Sequence, residues 1–268
     1  MDACEFLGLR RTEQPNRFEL PVEQALCTLG GFLFGGAALG ALITAMELTT
    51  SRPVAWATAQ YLSFATPPST LSIELTVPSS GHRLSQARAT GAVDGTEILT
   101  VLAALGSRPN DAEGTWAAYP DDVPSPDECG PREMRSHHFR GESVMSPFDQ
   151  RLAVGRNPFE LDGEPGDGNA ALWVRLPDGL EMSAATLAIL GDFVPFGIGQ
   201  ALGVGAGGTS LDNTLRVHRL VPTEWVLVDI FVHAVGNGFA HGRVRLWAED
   251  RTLLAIASQS AIVRFWKD

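Results

Sequence analysis

The chain has 268 residues, 44% hydrophobic and 19% charged, with three cysteines and a net charge of -11. This excludes a disordered chain, which would be poorer in apolar residues and denser in charge, and a disulfide scaffold, which needs far more Cys. The acidic balance argues against bulk binding of nucleic acid or an anionic membrane, because both need a basic surface.

Cys4, Cys27 and Cys129 are odd in number, far apart and without CxxC spacing, which suits a reduced cytoplasmic protein. The start, MDACE, is acidic and has no basic leader. Residues 25–46 (ALCTLGGFLFGGAALGALITAM) carry no charge and are long enough to span a bilayer. Glu23 and Glu47 flank the run instead of Lys or Arg, and no aromatic belt frames it. The expectation is a helix buried by its own protein, with Gly30, Gly31, Gly35, Gly36 and Gly40 allowing close backbone packing. Runs 54–65, 70–77, 83–93 and 97–105 read as strands from β-branched residues and partial alternation. Asp94-Gly95 is a hairpin signal between the last two.

From about residue 107 to 141 the chain turns rich in proline and mixed charge, without a period, and predicts a linker. Trp116, Tyr119 and Phe139 are available to pin it to a neighbouring surface. Beyond it, 148–155 and 170–176 predict strands, and 183–202 a helix broken in its second half by Pro195 and glycines. Four more strands follow at 208–220, 224–235, 239–250 and 252–265. Each half is thus an apolar helix followed by four strands, and 81–102 aligns with 238–258. That pattern predicts an α+β fold with an internal duplication. The units would be 1–107 and 146–268, joined by 108–145. Counted from the turn residues Asp94 and Asp250, Gln259 falls opposite Ala103.

The order of GDFVP (191–195), SLDNTLRVHR (210–219) and ASQSAIVR (257–264) resembles the acyl-CoA thioesterase II (TesB-like) family. In the first half, FGG (34–36) and GHRLSQAR (81–88) are similar to the corresponding family segments. The resemblance implies a double hotdog, in which two antiparallel sheets lie side by side and each wraps one helix. It implies hydrolysis of acyl-CoA to free acid and CoA without metal or organic cofactor. It also implies one catalytic trio: Asp192, Gln259, and Ser210 where the family usually has Thr. Thr209 is the alternative hydroxyl if the register slips by one. Hotdog proteins often assemble further, so a homo-oligomer is compatible with the resemblance.

Such a trio suits thioester hydrolysis. A carboxylate can take the proton of an attacking water, while an amide and a hydroxyl hold that water in line. Direct attack by Asp192 is the alternative. A backbone N–H of Gly35 or Gly36 could serve the oxyanion. Taken singly, Asp192 would read as a helix cap and Ser210 as a strand hydroxyl. Gln259 says more, because it interrupts an apolar strand and a buried amide needs partners. A hotdog hydratase or dehydratase would use a carboxylate–His pair, and no His neighbours Asp192 in sequence. A thioesterase-like protein that binds acyl-CoA without turnover is the non-enzymatic alternative. GVGAGG (203–208) follows a helix and precedes a strand, the reverse of a dinucleotide loop, and predicts a flexible connection. There is no GxSxG elbow and no HExxH or Cys/His zinc spacing.

Overall fold

The computed structural model describes residues 1–108, 112–133 and 141–266. A short helix, α1 (Ala3–Leu7), precedes β1 (Arg10–Arg11) and β2 (Arg17–Val22). Then come the long helix α2 (Gly35–Thr50) and strands β3 (Val54–Tyr61), β4 (Ser69–Ser80), β5 (Leu84–Val93) and β6 (Thr96–Gly106). The second half repeats the plan with β7 (Asp149–Val154), β8 (Asn169–Arg175), α3 (Ala184–Leu190), α4 (Val194–Leu202), β9 (Ala206–Val217), β10 (Trp225–Gly236), β11 (Phe239–Ala248) and β12 (Leu253–Phe265).

Every pairing is antiparallel, and the two sheets merge into one of twelve strands, ordered β1-β2-β4-β5-β6-β3-β9-β12-β11-β10-β8-β7. The join is β3 against β9, registered symmetrically about Thr58 and Thr214, whose hydroxyls bond at 2.7 Å. These two residues are 156 apart. The same offset carries the pair Ala57–Ala103 onto Asn213–Gln259. It also carries the bulge at Val54/Trp56 onto the one at Ser210/Asp212. The halves are therefore related by a pseudo-twofold passing between the two threonines. Ala103 is the structural counterpart of Gln259.

The uncharged run 25–46 is not one helix. Gln24–Leu26 form a single 3-10 turn, Gly31 takes a positive φ of 76°, and α2 begins only at Gly35. Gly36 to Met46 are all buried, between β3–β6 on one side and α3 on the other. A helix enclosed on all sides can be apolar all round, which accounts for its membrane-like composition. Residues Ala184–Leu202 also have the length and hydropathy of a membrane span, yet they are bent into α3 and α4 and 78% buried inside the protein. In the first half, β4 and β5 alternate buried and exposed residues, as expected of a sheet with one wet face. In the second half Trp225–Ile230 are continuously buried, because the outer face is also covered.

The cover is the proline-rich segment. Trp173, Trp225, Leu227, Trp247 and Leu253 form an apolar patch beneath Ala117, Tyr119, Val123 and Cys129. Trp173 Nε1 donates to the Pro124 carbonyl at 2.8 Å, and the Tyr119 ring meets Trp247 edge-on at 5.4 Å. Tyr119 thus pins the segment while Trp116 stays exposed; Phe139 lies outside the described residues. His218 Nε2 meets the Thr115 hydroxyl at 3.3 Å, and Arg219 pairs with Glu113, so both serve the same attachment. The Asp94-Gly95 hairpin forms with both φ values positive, 49° and 80°. The glycine run 203–208 is no free connection: Gly203 caps α4 in the left-handed region and β9 begins at Ala206.

Candidate active site

Asp192 stands in the break Gly191-Asp192-Phe193 between α3 and α4. Ser183 caps the start of α3 by accepting from the Thr186 N–H. Pro195 lies in the first turn of α4, where its missing N–H has no intrahelical partner to lose. Pro195 therefore opens a helix, and the interruption in 183–202 is at the aspartate itself. The break aims the Asp192 carboxylate at the N-terminus of α2 in the other half, where Gly36 N–H donates to Oδ2 at 2.7 Å. This satisfies one of the N–H groups that a helix start leaves unpaired.

Two sheet residues hold the other oxygen. The β9–β12 ladder bulges so that Ala261 pairs with Ser210 and Ser260 with Asp212, skipping Leu211. Without that bulge Leu211 would face inward; with it, Ser210 shares the inner face with Gln259. Gln259 Nε2 donates to Asp192 Oδ1 and also to Ser210 Oγ at 2.6 Å. The Ser210 hydroxyl donates to Asp192 Oδ1 at 3.4 Å. The structure thus brings Asp192, Ser210 and Gln259 together. Thr209 has another partner, accepting from Arg264 Nε at 3.3 Å.

Asp192 is only 6% exposed. Burial pushes its carboxyl up from 3.8 to about 7, outweighing the downward pull of Gln259, Gly36 and Ser210. The approach demands glycines. A Cβ at Gly35 would stand 2.8 Å from Asp192 Oδ2, and one at Gly36 would stand 2.6 Å from the Ala188 carbonyl. Gly36 N–H is engaged with the carboxylate; Gly35, the first residue of α2, faces the adjoining cavity.

That cavity has a volume of about 610 Å³ and lies between the halves. Its wall is mainly apolar, including Phe32, Phe64, Phe193, Phe196 and Trp266, with Asp192 and Ser210 at one side. Gln259 stands behind them and does not reach the lumen. Residues the sequence reading passed over also belong here. Tyr61 lines the cavity with its hydroxyl buried and unpartnered. Burial, with Asp192 and Asp212 adding to it, raises its pKa well above the usual phenol value, so it remains a donor. Asn213, paired across the ladder with Gln259, is buried with neither amide atom bonded. Comparing the halves could have exposed Tyr61, since its counterpart 156 residues on is Val217. Arg132, in the proline-rich segment, also lines the cavity, and no sequence signal marks it.

Residues 120–263 match the sequence model of the acyl-CoA thioesterase C-terminal domain, more than half of the chain. The chain belongs to the acyl-CoA thioesterase family. A crystallised putative thioesterase from Novosphingobium aromaticivorans is 33% identical to this thioesterase, with 95% of this chain and 97% of that one covered at a TM-score of 0.84. A hot dog protein of unknown function from Alicyclobacillus acidocaldarius is 19% identical, covering 99% and 98% at 0.85. Acyl-CoA thioesterase II TesB2 from Mycobacterium marinum is 18% identical, covering 99% of each chain at 0.75. These last two establish the double-hotdog architecture alone. No curated protein matches the sequence.

Proposed function

We propose that this thioesterase hydrolyses acyl-CoA to free acid and CoA with Asp192 as general base. The observation that carries the reading is a buried carboxylate titrating near 7, held by an amide and a hydroxyl at the wall of an apolar cavity. A water beside Asp192 and Ser210 gives its proton to Asp192 as its oxygen bonds to the thioester carbon. The carbonyl electrons move to oxygen, and the oxyanion is met by two donors that face the cavity. One is the N–H of Gly35, the first residue of α2; the other is the free Tyr61 hydroxyl. As the carbonyl re-forms, the C–S bond breaks and the proton passes from Asp192 to the departing thiolate. Both Asp192 oxygens already accept hydrogen bonds, which suits a base held in place better than a nucleophile that must advance on the carbon.

The groups that hold the Asp192 carboxylate are the Gly36 N–H, the Ser210 hydroxyl and the Gln259 amide rather than an imidazole, which favours hydrolysis over the hydratase reading. The three cysteines are unpaired, in keeping with a reducing compartment, and we place the enzyme in the cytoplasm.

Thiol release from acyl-CoA substrates, measured for the parent and Asp192→Asn, tests the proposal. The substitution keeps the side-chain shape and removes the base. The expected loss is about two to four powers of ten in kcat, with little change in KM. A variant within about threefold of the parent, far below the loss of a general base, sinks the assignment.

A further inference from the structure

Arg132 lines the cavity, and hydrolysis of a plain fatty acyl group leaves it without a task. Its guanidinium lies over the Phe196 ring at 4.5 Å and within 5.9 Å of the Phe193 ring. Its main-chain N–H and its Nη1 both donate to Gln150, to the carbonyl at 2.8 Å and to Oε1 at 2.7 Å. Nε is buried with no hydrogen-bond partner, and Nη2 donates to none of the described residues. Among the described residues no carboxylate forms an ion pair with it; Glu133, next in the chain, is exposed and borders the same cavity without pairing with it. Enclosure lowers its pKa to about 10, which still leaves it a cation at neutral pH. The surface it keeps faces the cavity. A desolvated cation without a counter-ion is costly to hold in an apolar wall. The unused Nε–Nη2 edge has the parallel donors that match the two oxygens of a carboxylate.

We propose that Arg132 reads a carboxylate at the far end of the acyl group, so that the preferred substrates are CoA thioesters of dicarboxylic acids. This rests on the hydrolytic reading above. The distance along the substrate decides between the two anions an acyl-CoA could offer. The cation stacks on Phe196 and borders Phe193, the residue next to the base Asp192, and all of these line one cavity. The phosphates of CoA are the whole pantetheine arm away from the thioester carbon, whereas a terminal carboxylate on a short or medium acyl chain falls within reach.

The test compares kcat/KM for succinyl-, adipyl- and suberyl-CoA with butyryl-, hexanoyl- and octanoyl-CoA, pair by pair at equal carbon number. The full-length enzyme should favour the charged member of at least one pair. Arg132→Met should cut that preference about tenfold to a hundredfold, the range for a hydrogen bond to a charged group, while sparing the neutral member. Arg132→Lys, which keeps the charge and loses the fork, should fall between and covers the case in which the Met variant does not fold. A parent enzyme that favours the neutral member of every pair overturns the proposal. So does an Arg132→Met variant that loses equally on both members and is less inhibited by free CoA, since that would make Arg132 a phosphate contact. If neither series is hydrolysed, the hydrolytic reading is what has failed, and calorimetry of adipate against hexanoate on the parent protein decides the anion site. Equal binding of the two acids overturns it; tighter adipate, lost in Arg132→Met, upholds it.

Discussion

Asp192 meets two opposed demands. To accept a proton it must be ionised, and to be a strong enough base near neutrality its pKa must lie well above that of an exposed carboxylate. Its carboxyl titrates at about 7 because burial outweighs three hydrogen-bond donors. The rate kcat/KM should therefore rise with pH along a limb centred near 7 and level off above it. An unperturbed aspartate would put that limb near pH 4. The same shift acts on stability, with a definite sign. The folded state holds the Asp192 proton more tightly than the unfolded chain, so this residue's contribution to stability falls as pH rises from about 4 to about 7. Asp192→Asn cannot titrate, and its free energy of unfolding should gain on the parent's across that window, by an amount on the order of a few kcal/mol. A rate limb near pH 4, or a stability difference that does not change with pH, would show that the carboxylate is not the perturbed base.

Between elements, the site depends on how closely α2 approaches α3. Glycines at 36 and 40 face the Ala188 and Ala185 carbonyls, which stand 2.6 and 3.0 Å from where a Cβ would be. In a free helix, Gly→Ala stabilises by about 1 kcal/mol. At Gly36 the obstruction is backbone, which cannot rotate away, so Gly36→Ala should destabilise by about 1–3 kcal/mol. It should also lower kcat, by prising the Gly36 N–H from Asp192. Thermal melts and thiol release check both, and a raised melting temperature would contradict the close approach. These packing details explain what could be read beforehand. The Asp94-Gly95 hairpin and the eight strands downstream of the helices were legible because turn residues punctuate them. Gln259 was legible because an amide interrupts an apolar strand whose copy has Ala103. Strand β2 was missed although Arg17 and Glu19 alternate with buried Phe18, Leu20 and Val22, because it is only six residues long and Pro21 argues against a strand. The start of α2 was misplaced because an apolar glycine-rich loop and an apolar buried helix share a composition. Arg132 was invisible for a different reason: it is defined by what lies opposite it in space and sits in no local pattern, whereas Tyr61 needed the two halves to be aligned residue by residue.

At the scale of the whole molecule, the pseudo-twofold ought to generate two sites, and the chain has kept one. In the strands, the 156-residue offset places Val54 at the position of Ser210 and Ala103 at that of Gln259. The second copy thus lacks both the hydroxyl and the amide. The first half still contributes to the one site. Gly36 supplies the N–H that holds Asp192, and only a glycine allows the α3 backbone so near. Covering is equally one-sided, since the proline-rich segment lies on the second half's tryptophan patch while the first half's outer face stays wet. An asymmetric chain of this kind should bind one acyl-CoA per polypeptide. Calorimetry on Asp192→Asn, which should bind substrate without turning it over, is expected to give a stoichiometry of one with a single affinity. A stoichiometry of two would mean that the Val54 and Ala103 side still takes up substrate, and that the loss of its polar groups ended catalysis there without ending binding.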